Sequence, residues 1–190
     1  MGGLGYLSVL SGLIVAIVWI RIALSVASIA RDSRASGRQA RRHIHASRLT
    51  LLLVVLVLID ATACWAFVTL TGWSGSLWPI VALPVLGGLY FYSASLALPS
   101  GPDVWTKLNG WYWITRRPVL IGILLADIIW ISLAEIGERP EQWLLLIAGA
   151  ALNLAAFLVA FASTKRRLAG LALAVLIAER LALIAVSPLG

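Results

Sequence analysis

Four charged side chains lie far inside apolar stretches of the sequence: Asp60, Asp127, Glu179 and Arg180. A charge at the centre of a bilayer costs at least about 2.5–3.5 kcal/mol on insertion scales, so such residues usually face the protein interior and find partners. Asn153 lies near the middle of another apolar stretch and is expected to join them. Together these residues predict a buried polar cluster.

Arg180 has the greatest need of a partner, because a guanidinium is always charged whereas a carboxylate can take up a proton. Glu179 and Arg180 leave a helix about 100° apart and are expected to contact different neighbours. One of Asp60 and Asp127 should therefore pair with Arg180. The other acid, or Glu179, would then be free to titrate.

Arg21 is the sixth candidate, and two interpretations of it remain open. It either completes the cluster or extends its guanidinium from the end of the first apolar run to lipid headgroups. With Arg21 included, three acids face two bases, and the surplus carboxylate must hold a proton or a cation. The cluster predicts a proton or cation pathway. The alternative is that its ion pairs only hold the helices together.

The elements that carry these residues are six apolar runs, most of them close to the twenty residues that a helix needs to cross a membrane. Of the 190 residues, 61% are hydrophobic and 12% are charged, whereas a soluble domain has about 25% charged residues. The sequence predicts an all-α, polytopic membrane protein forming one transmembrane domain over residues 1–190. The predicted spans are 4–27, 49–70, 77–98, 118–133, 143–161 and 168–186.

Each even-numbered span follows a basic residue and carries an acid near its middle. The basic and acidic residues are ten to twelve positions apart in the pairs Arg48 and Asp60, Arg117 and Asp127, and Arg167 and Glu179. At 1.5 Å per residue, each acid would lie roughly 15–18 Å deep, near the midplane of the membrane. This pattern predicts three helical-hairpin repeats, with a coincidence of spacing as the alternative.

Basic residues are concentrated in the loops after spans one, three and five. Those loops hold twelve Lys and Arg residues, and the opposite side holds only Arg139. Because basic loops stay in the cytoplasm, both termini are predicted on the outer side of a bacterial inner membrane. Contact of these loops with anionic lipid headgroups then accounts for the net charge of +7, and no nucleic-acid partner is expected.

Residues 101–114 have more organisation than a plain loop. Ser100 and Asp103 fit a capping box, and Pro102 suits the first turn of a helix. These features favour a short helix in the headgroup plane. An irregular loop with interfacial tryptophans is the alternative.

The third and fourth apolar runs are connected by a proline, a tryptophan-containing linker, an aromatic pair and two basic residues. The residues concerned are Tyr92, Pro99, Pro102, Trp105, Leu108, Tyr112, Trp113, Arg116 and Arg117. Through them the stretch from Tyr90 to Ile129 resembles a group of small bacterial inner-membrane proteins of unassigned function. The resemblance implies a bacterial multi-pass protein and carries no activity.

The sequence contains no pattern that assembles a nucleophile with a base, and no phosphate loop. His43 and His45 are too few ligands to close a metal site. We therefore expect no enzyme, no cofactor and no metal. The favoured function is proton or cation translocation by a homo-oligomer. The alternative is a non-catalytic structural or assembly subunit that binds a partner within the membrane.

Overall fold

A computed structural model describes residues 2–35, 48–71, 78–98, 108–133 and 140–186 of the chain. These residues form six α-helices, which confirms the prediction of an all-α chain with six helices. The helices are α1 (Gly2–Ala35), α2 (Arg48–Thr71), α3 (Trp78–Ala97), α4 (Leu108–Leu133), α5 (Pro140–Ala162) and α6 (Arg166–Val186). Across the described residues, no helix combines the length and the apolar character needed to cross a membrane.

Helix α2 lies at the centre of the bundle, where it packs against α1, α3, α4 and α6. The most extensive pairings are those of α3 with α4 and of α2 with α6. The core between them consists of aliphatic side chains such as Leu53, Leu86, Ile123 and Leu176, each almost completely buried. Because α2 contacts four of the other five described helices, it organises most of the packing.

Paired contacts establish the direction of the helices. Leu49 lies beside Gly170 near the starts of α2 and α6, and Asp60 contacts Arg180 near their middles. These two helices are therefore parallel. By the same reasoning α1 is parallel to α3, because Ile14 lies beside Gly87 and Arg21 donates to Ser95 further along both helices.

The even-numbered helices begin at the same end of the bundle. Helices α5 and α6 are joined by only three residues, 163–165, and Arg116 near the start of α4 contacts the end of α5. This end, which we term the basic end, carries Arg48, Arg116, Arg117, Lys165, Arg166 and Arg167.

Helices α3 and α4 approach closely at Gly122. A methyl group at this position would overlap the Ser93 hydroxyl of α3. Ser93 and Ala94 of α3 and Ala126 of α4 are also small and buried. Small side chains let helix backbones come close enough for extensive van der Waals contact.

Helix α4 begins earlier than the sequence predicts. The fourth span was predicted to start at Pro118, after a separate interfacial helix over 101–114. The structure instead has one helix from Leu108 through Pro118 to Leu133, and residues 101–107 lie outside the described part. Tertiary contacts explain the extension, because the Trp111 indole donates to the Leu96 carbonyl at 3.0 Å and holds the first turns against α3.

Candidate functional site

Arg180 joins two aspartates from different helices. Its Nε lies 2.5 Å from Asp60 Oδ1, and its Nη2 lies 2.5 Å from Asp127 Oδ2. The parallel course of α2 and α6 brings Asp60 and Arg180 to the same depth. The expectation that only one aspartate pairs with Arg180 is wrong, because the forked guanidinium has enough donors for both.

Asp60 is completely buried and receives a second hydrogen bond. The Tyr90 hydroxyl of α3 donates to Asp60 Oδ2 at 2.6 Å, so both carboxylate oxygens have donors. Sequence reasoning missed Tyr90. The available signal was a tyrosine within the third apolar run, since a buried tyrosine hydroxyl usually needs a partner.

Glu179 contacts a different neighbour from the aspartates, as expected for its angle around α6. Asn153 of α5 donates from Nδ2 to Glu179 Oε2 at 2.8 Å. The other oxygen, Oε1, is 3.8 Å from Arg180 Nη1, which is too long for a hydrogen bond. Glu179 therefore has weaker support from Arg180 than either aspartate has.

The structure brings together five of the six residues selected from the sequence and adds Tyr90. We term this group the carboxylate cluster: Asp60, Tyr90, Asp127, Asn153, Glu179 and Arg180. Five of the six helices contribute to it. With every carboxyl ionised, three negative charges face one positive charge, which gives a net charge of –2.

Arg21 lies apart from the cluster. Its Nε donates to the Ser95 hydroxyl at 3.3 Å, and its Nη1 donates to the Ser25 hydroxyl at 3.4 Å. Arg21 thus links α1 to α3 and does not neutralise an acid of the cluster. The carboxylate surplus inside the bundle is larger than the sequence count suggested.

A narrow recess borders the cluster beside Tyr90. It is lined by Val15, Ala61, Trp65, Leu83, Tyr90 and Trp130, among other residues, and has room for about one water molecule. Of these lining residues, Trp65 is 39% exposed. Trp130 is buried, and its indole N–H has no hydrogen-bond acceptor within the described part of the chain.

Arg116 forms a second buried polar site near the basic end. It donates to the carbonyl oxygens of Ala160 (3.3 Å) and Ser163, where α5 ends and its carbonyls lack helical partners. Its guanidinium also lies over the Trp113 ring, 4.4 Å from the centroid. Burial raises the pKa of the neighbouring Tyr112 phenol, so this side chain keeps its proton and stays neutral beside the charged Arg116.

Within the described ranges, no three His, Cys, Asp or Glu side chains are grouped as ligands for a metal ion. His43 and His45 lie outside these ranges. Comparison with known proteins found no matching family model, no matching curated protein and no matching solved structure.

Proposed function

We propose that this chain is a six-span protein of a bacterial inner membrane, and that its carboxylate cluster moves protons or cations. The observation that carries the proposal is the surplus of buried carboxylates halfway along the bundle. Leaving ionised carboxylates unpaired in a low-dielectric interior is very costly. A surplus of two is therefore balanced by bound protons or cations, and these can be exchanged.

Membrane insertion is supported by the distribution of apolar and charged side chains. Large apolar residues cover the outside of the described bundle: Val9 is 73% exposed and Ile114 is 72% exposed. Asp60 and Arg180, by contrast, are buried. Water-soluble proteins rarely expose such extensive apolar surfaces, whereas charged groups within a membrane usually face the bundle interior.

The basic end supports the proposed orientation. Lys165, Arg166 and Arg167 are exposed around the turn between α5 and α6, and Arg48 and Arg117 are exposed at the starts of α2 and α4. Basic residues of this kind are retained in the cytoplasm and attract anionic headgroups. The proposal therefore has the basic end in the cytoplasm, both termini outside and anionic lipids as partners.

Glu179 is the residue of the cluster best suited to release a proton or cation. Its side chain is 17% exposed, whereas that of Asp60 is fully buried. Its partner Asn153 can donate to the ionised carboxylate and, after rotation of its amide, can accept from the protonated acid. Both states of Glu179 therefore retain a hydrogen-bond partner.

Ion flux through the purified protein in liposomes tests the proposal. We expect an imposed proton or cation gradient to dissipate faster than in protein-free vesicles. Glu179→Gln should return the rate to that background, because the amide has no exchangeable charge yet can still accept from Asn153. Glu179→Asp, the matched control, should retain flux. Background rates for wild-type protein with protons, Na⁺ and K⁺ would contradict the proposal.

The rival function is a non-catalytic subunit of a larger membrane complex, and the pairing within the cluster favours it. Arg180 joins α2, α4 and α6 and can serve purely to fix their packing. The two functions differ in how the protein purifies. A stable homo-oligomer free of other chains supports the pathway, whereas a chain that is stable only with a partner supports the subunit.

A further inference from the structure

We propose that Arg21 and Ser95 bind the phosphate group of an anionic phospholipid where α1 and α3 meet, near the basic end of the bundle. This site lies outside the carboxylate cluster. It rests on the membrane location in the proposed function and not on the movement of ions. Three features carry it: an arginine without a carboxylate partner, the position of that arginine along the bundle, and an exposed apolar strip below it.

The charge of Arg21 is not balanced by a carboxylate among the described side chains, because every ion pair between them involves Arg180. Its two side-chain acceptors, the hydroxyls of Ser95 and Ser25, are neutral. A guanidinium stays protonated in proteins. A positive charge that is half-buried between two helices of a membrane protein therefore needs an anion.

Arg21 and Ser95 both retain a donor for such an anion. The Nη2 of Arg21 has no acceptor in the described part of the chain, and the side chain is only half-buried. The Ser95 hydroxyl accepts from Arg21 Nε, and its own hydrogen has no acceptor among the described residues. A phosphate oxygen can accept from both groups. Such charge-assisted hydrogen bonds are about twice as strong as neutral ones.

The site lies at the depth of the inner-leaflet headgroups in the proposed orientation. Ser95 is close to the end of α3. That end lies beside the start of α4, because the Trp111 indole donates to the Leu96 carbonyl, and α4 begins at the basic end. Ser25 follows Arg21 by one turn of α1 towards the same end, so the guanidinium extends towards the headgroups.

An exposed apolar strip continues from the site towards the middle of the bundle. Ile17 precedes Arg21 by four residues, and Phe91 precedes Ser95 by four. Each apolar side chain therefore lies one turn deeper on the same face of its helix as the polar one. Both Ile17 and Phe91 are exposed.

A notch at Gly88 extends this strip by about one more turn. Helices α1 and α3 are close here, because a Cβ on Gly87 would lie 3.2 Å from Ile14 Cγ1. Gly88 is exposed, and a Cβ on it would meet no described atom within 4 Å. An acyl chain can lie along the strip and over the notch while its phosphate contacts Arg21. This continuity makes a lipid, rather than free phosphate, the proposed occupant.

The unbalanced charge also selects among lipids. Phosphatidylglycerol carries one negative charge and no amine. Phosphatidylethanolamine carries an ammonium that offsets its phosphate, and no described carboxylate pairs with Arg21 or is available beside it to receive that ammonium. The site should therefore prefer phosphatidylglycerol, since like charges at close range oppose binding of the second lipid.

Native mass spectrometry of the purified, delipidated protein tests the site by counting bound lipids. We expect the wild type to bind phosphatidylglycerol more tightly than phosphatidylethanolamine. Arg21→Gln should weaken the tightest phosphatidylglycerol binding by about tenfold, because it removes charge-assisted hydrogen bonds. Arg31→Gln, which removes an exposed charge from the same helix, is the matched control and should bind as the wild type does.

Gly88→Leu tests the apolar strip separately from the charge. It should also weaken phosphatidylglycerol binding, because leucine occupies the notch. Gly149→Leu is the matched control, since Gly149 of α5 is equally open but distant in the fold, and it should bind as the wild type does. Displacement of phosphatidylglycerol by an equal concentration of inorganic phosphate would identify a free anion as the ligand and overturn the lipid.

The outcomes separate this inference from the proposed function. Wild-type lipid binding by folded Arg21→Gln and Gly88→Leu would overturn the lipid site and leave the ion pathway standing. Absence of ion flux in the wild type would contradict only the pathway. Equal binding of the two lipids would overturn the preference for an anionic headgroup. Size-exclusion profiles and lipid-free melting temperatures that match the wild type establish that each variant is folded.

Discussion

Arg180 and Asp60, 120 residues apart in the chain, are joined by a 2.5 Å hydrogen bond in the middle of the bundle. Asp127 accepts from the same guanidinium, so one side chain neutralises charge on two helices. Removing one partner of a buried pair leaves an uncompensated charge and costs about 3–5 kcal/mol. We expect Arg180→Leu to lower the thermal melting temperature of the purified protein strongly.

Rescue of Arg180→Leu distinguishes two partners from one. Adding Asp60→Asn should recover part of the lost stability, and adding Asp127→Asn as well should recover more, because each aspartate is left without its cation. Arg167→Leu, on an exposed position of the same helix, is the control and should melt near the wild type. If one aspartate variant alone restored the full wild-type melting temperature, the ion pair of the other aspartate with Arg180 would contribute nothing to stability.

Arg116 should stabilise the end of α5 through its two carbonyl acceptors. Arg116→Gln loses these charged hydrogen bonds, each worth about 1.5–3 kcal/mol. Arg116→Lys should also weaken the end of α5, because an ammonium lacks the planar fork that reaches two carbonyl oxygens while it stacks on Trp113. Faster amide hydrogen exchange across residues 160–165 would report the loss.

Arg117 provides the matched control for Arg116, since it is the next residue of α4 but is exposed. Its guanidinium lies 5.2 Å from the centroid of the Phe161 ring, and an exposed cation–π contact is worth about 0.5–1 kcal/mol. Arg117→Gln should therefore have the smaller effect on exchange. Equal effects of the two variants would contradict a special role for the buried arginine.

The crossing of α3 and α4 should be sensitive to volume at Gly122. Gly122→Ala is expected to destabilise the protein by about 1–3 kcal/mol, because its methyl group overlaps the Ser93 hydroxyl. Ser93→Ala should relieve much of that cost, and the double-mutant cycle measures the coupling in thermal melts.

Gly110 is the control on the same helix, because a Cβ there meets no atom within 4 Å in the described structure. Gly110→Ala should be neutral or slightly stabilising, because alanine has a higher helix propensity than glycine and Gly110 lies in the first turn of α4. Equal melting temperatures for Gly122→Ala and Gly110→Ala would show that α3 and α4 do not approach each other closely at Gly122.

The proposed topology predicts the outcome of reporter fusions. A periplasm-active reporter should function after Thr71, Gly137 and Gly190, and a cytoplasm-active reporter should function after Gly37, Lys107 and Lys165. A cytoplasmic result at Gly190 would change the number of spans by one and remove the support for an external N-terminus.

The sequence by itself determined that the described part of the chain forms six helices and which charged residues lie along their middles. The number of these helices and their approximate centres follow from local apolar runs, and depth along a helix follows from its constant rise of 1.5 Å per residue. Both quantities can be read from spacing alone. Equal depth along the helices is what brings Asp60, Asp127 and Arg180 within reach of one another, and Asn153 within reach of Glu179.

Only the tertiary structure decided which of these groups touch. Contacts depend on which helices are neighbours and on how each helix is rotated about its axis. These two quantities decide that Arg180 pairs with two aspartates, that the Tyr90 hydroxyl donates to Asp60 and that Arg21 lies apart from the cluster. An extended α4 likewise depends on Trp111 reaching α3. Apolar runs with little amphipathic pattern carry almost no information on rotation, because any face of such a helix can be buried.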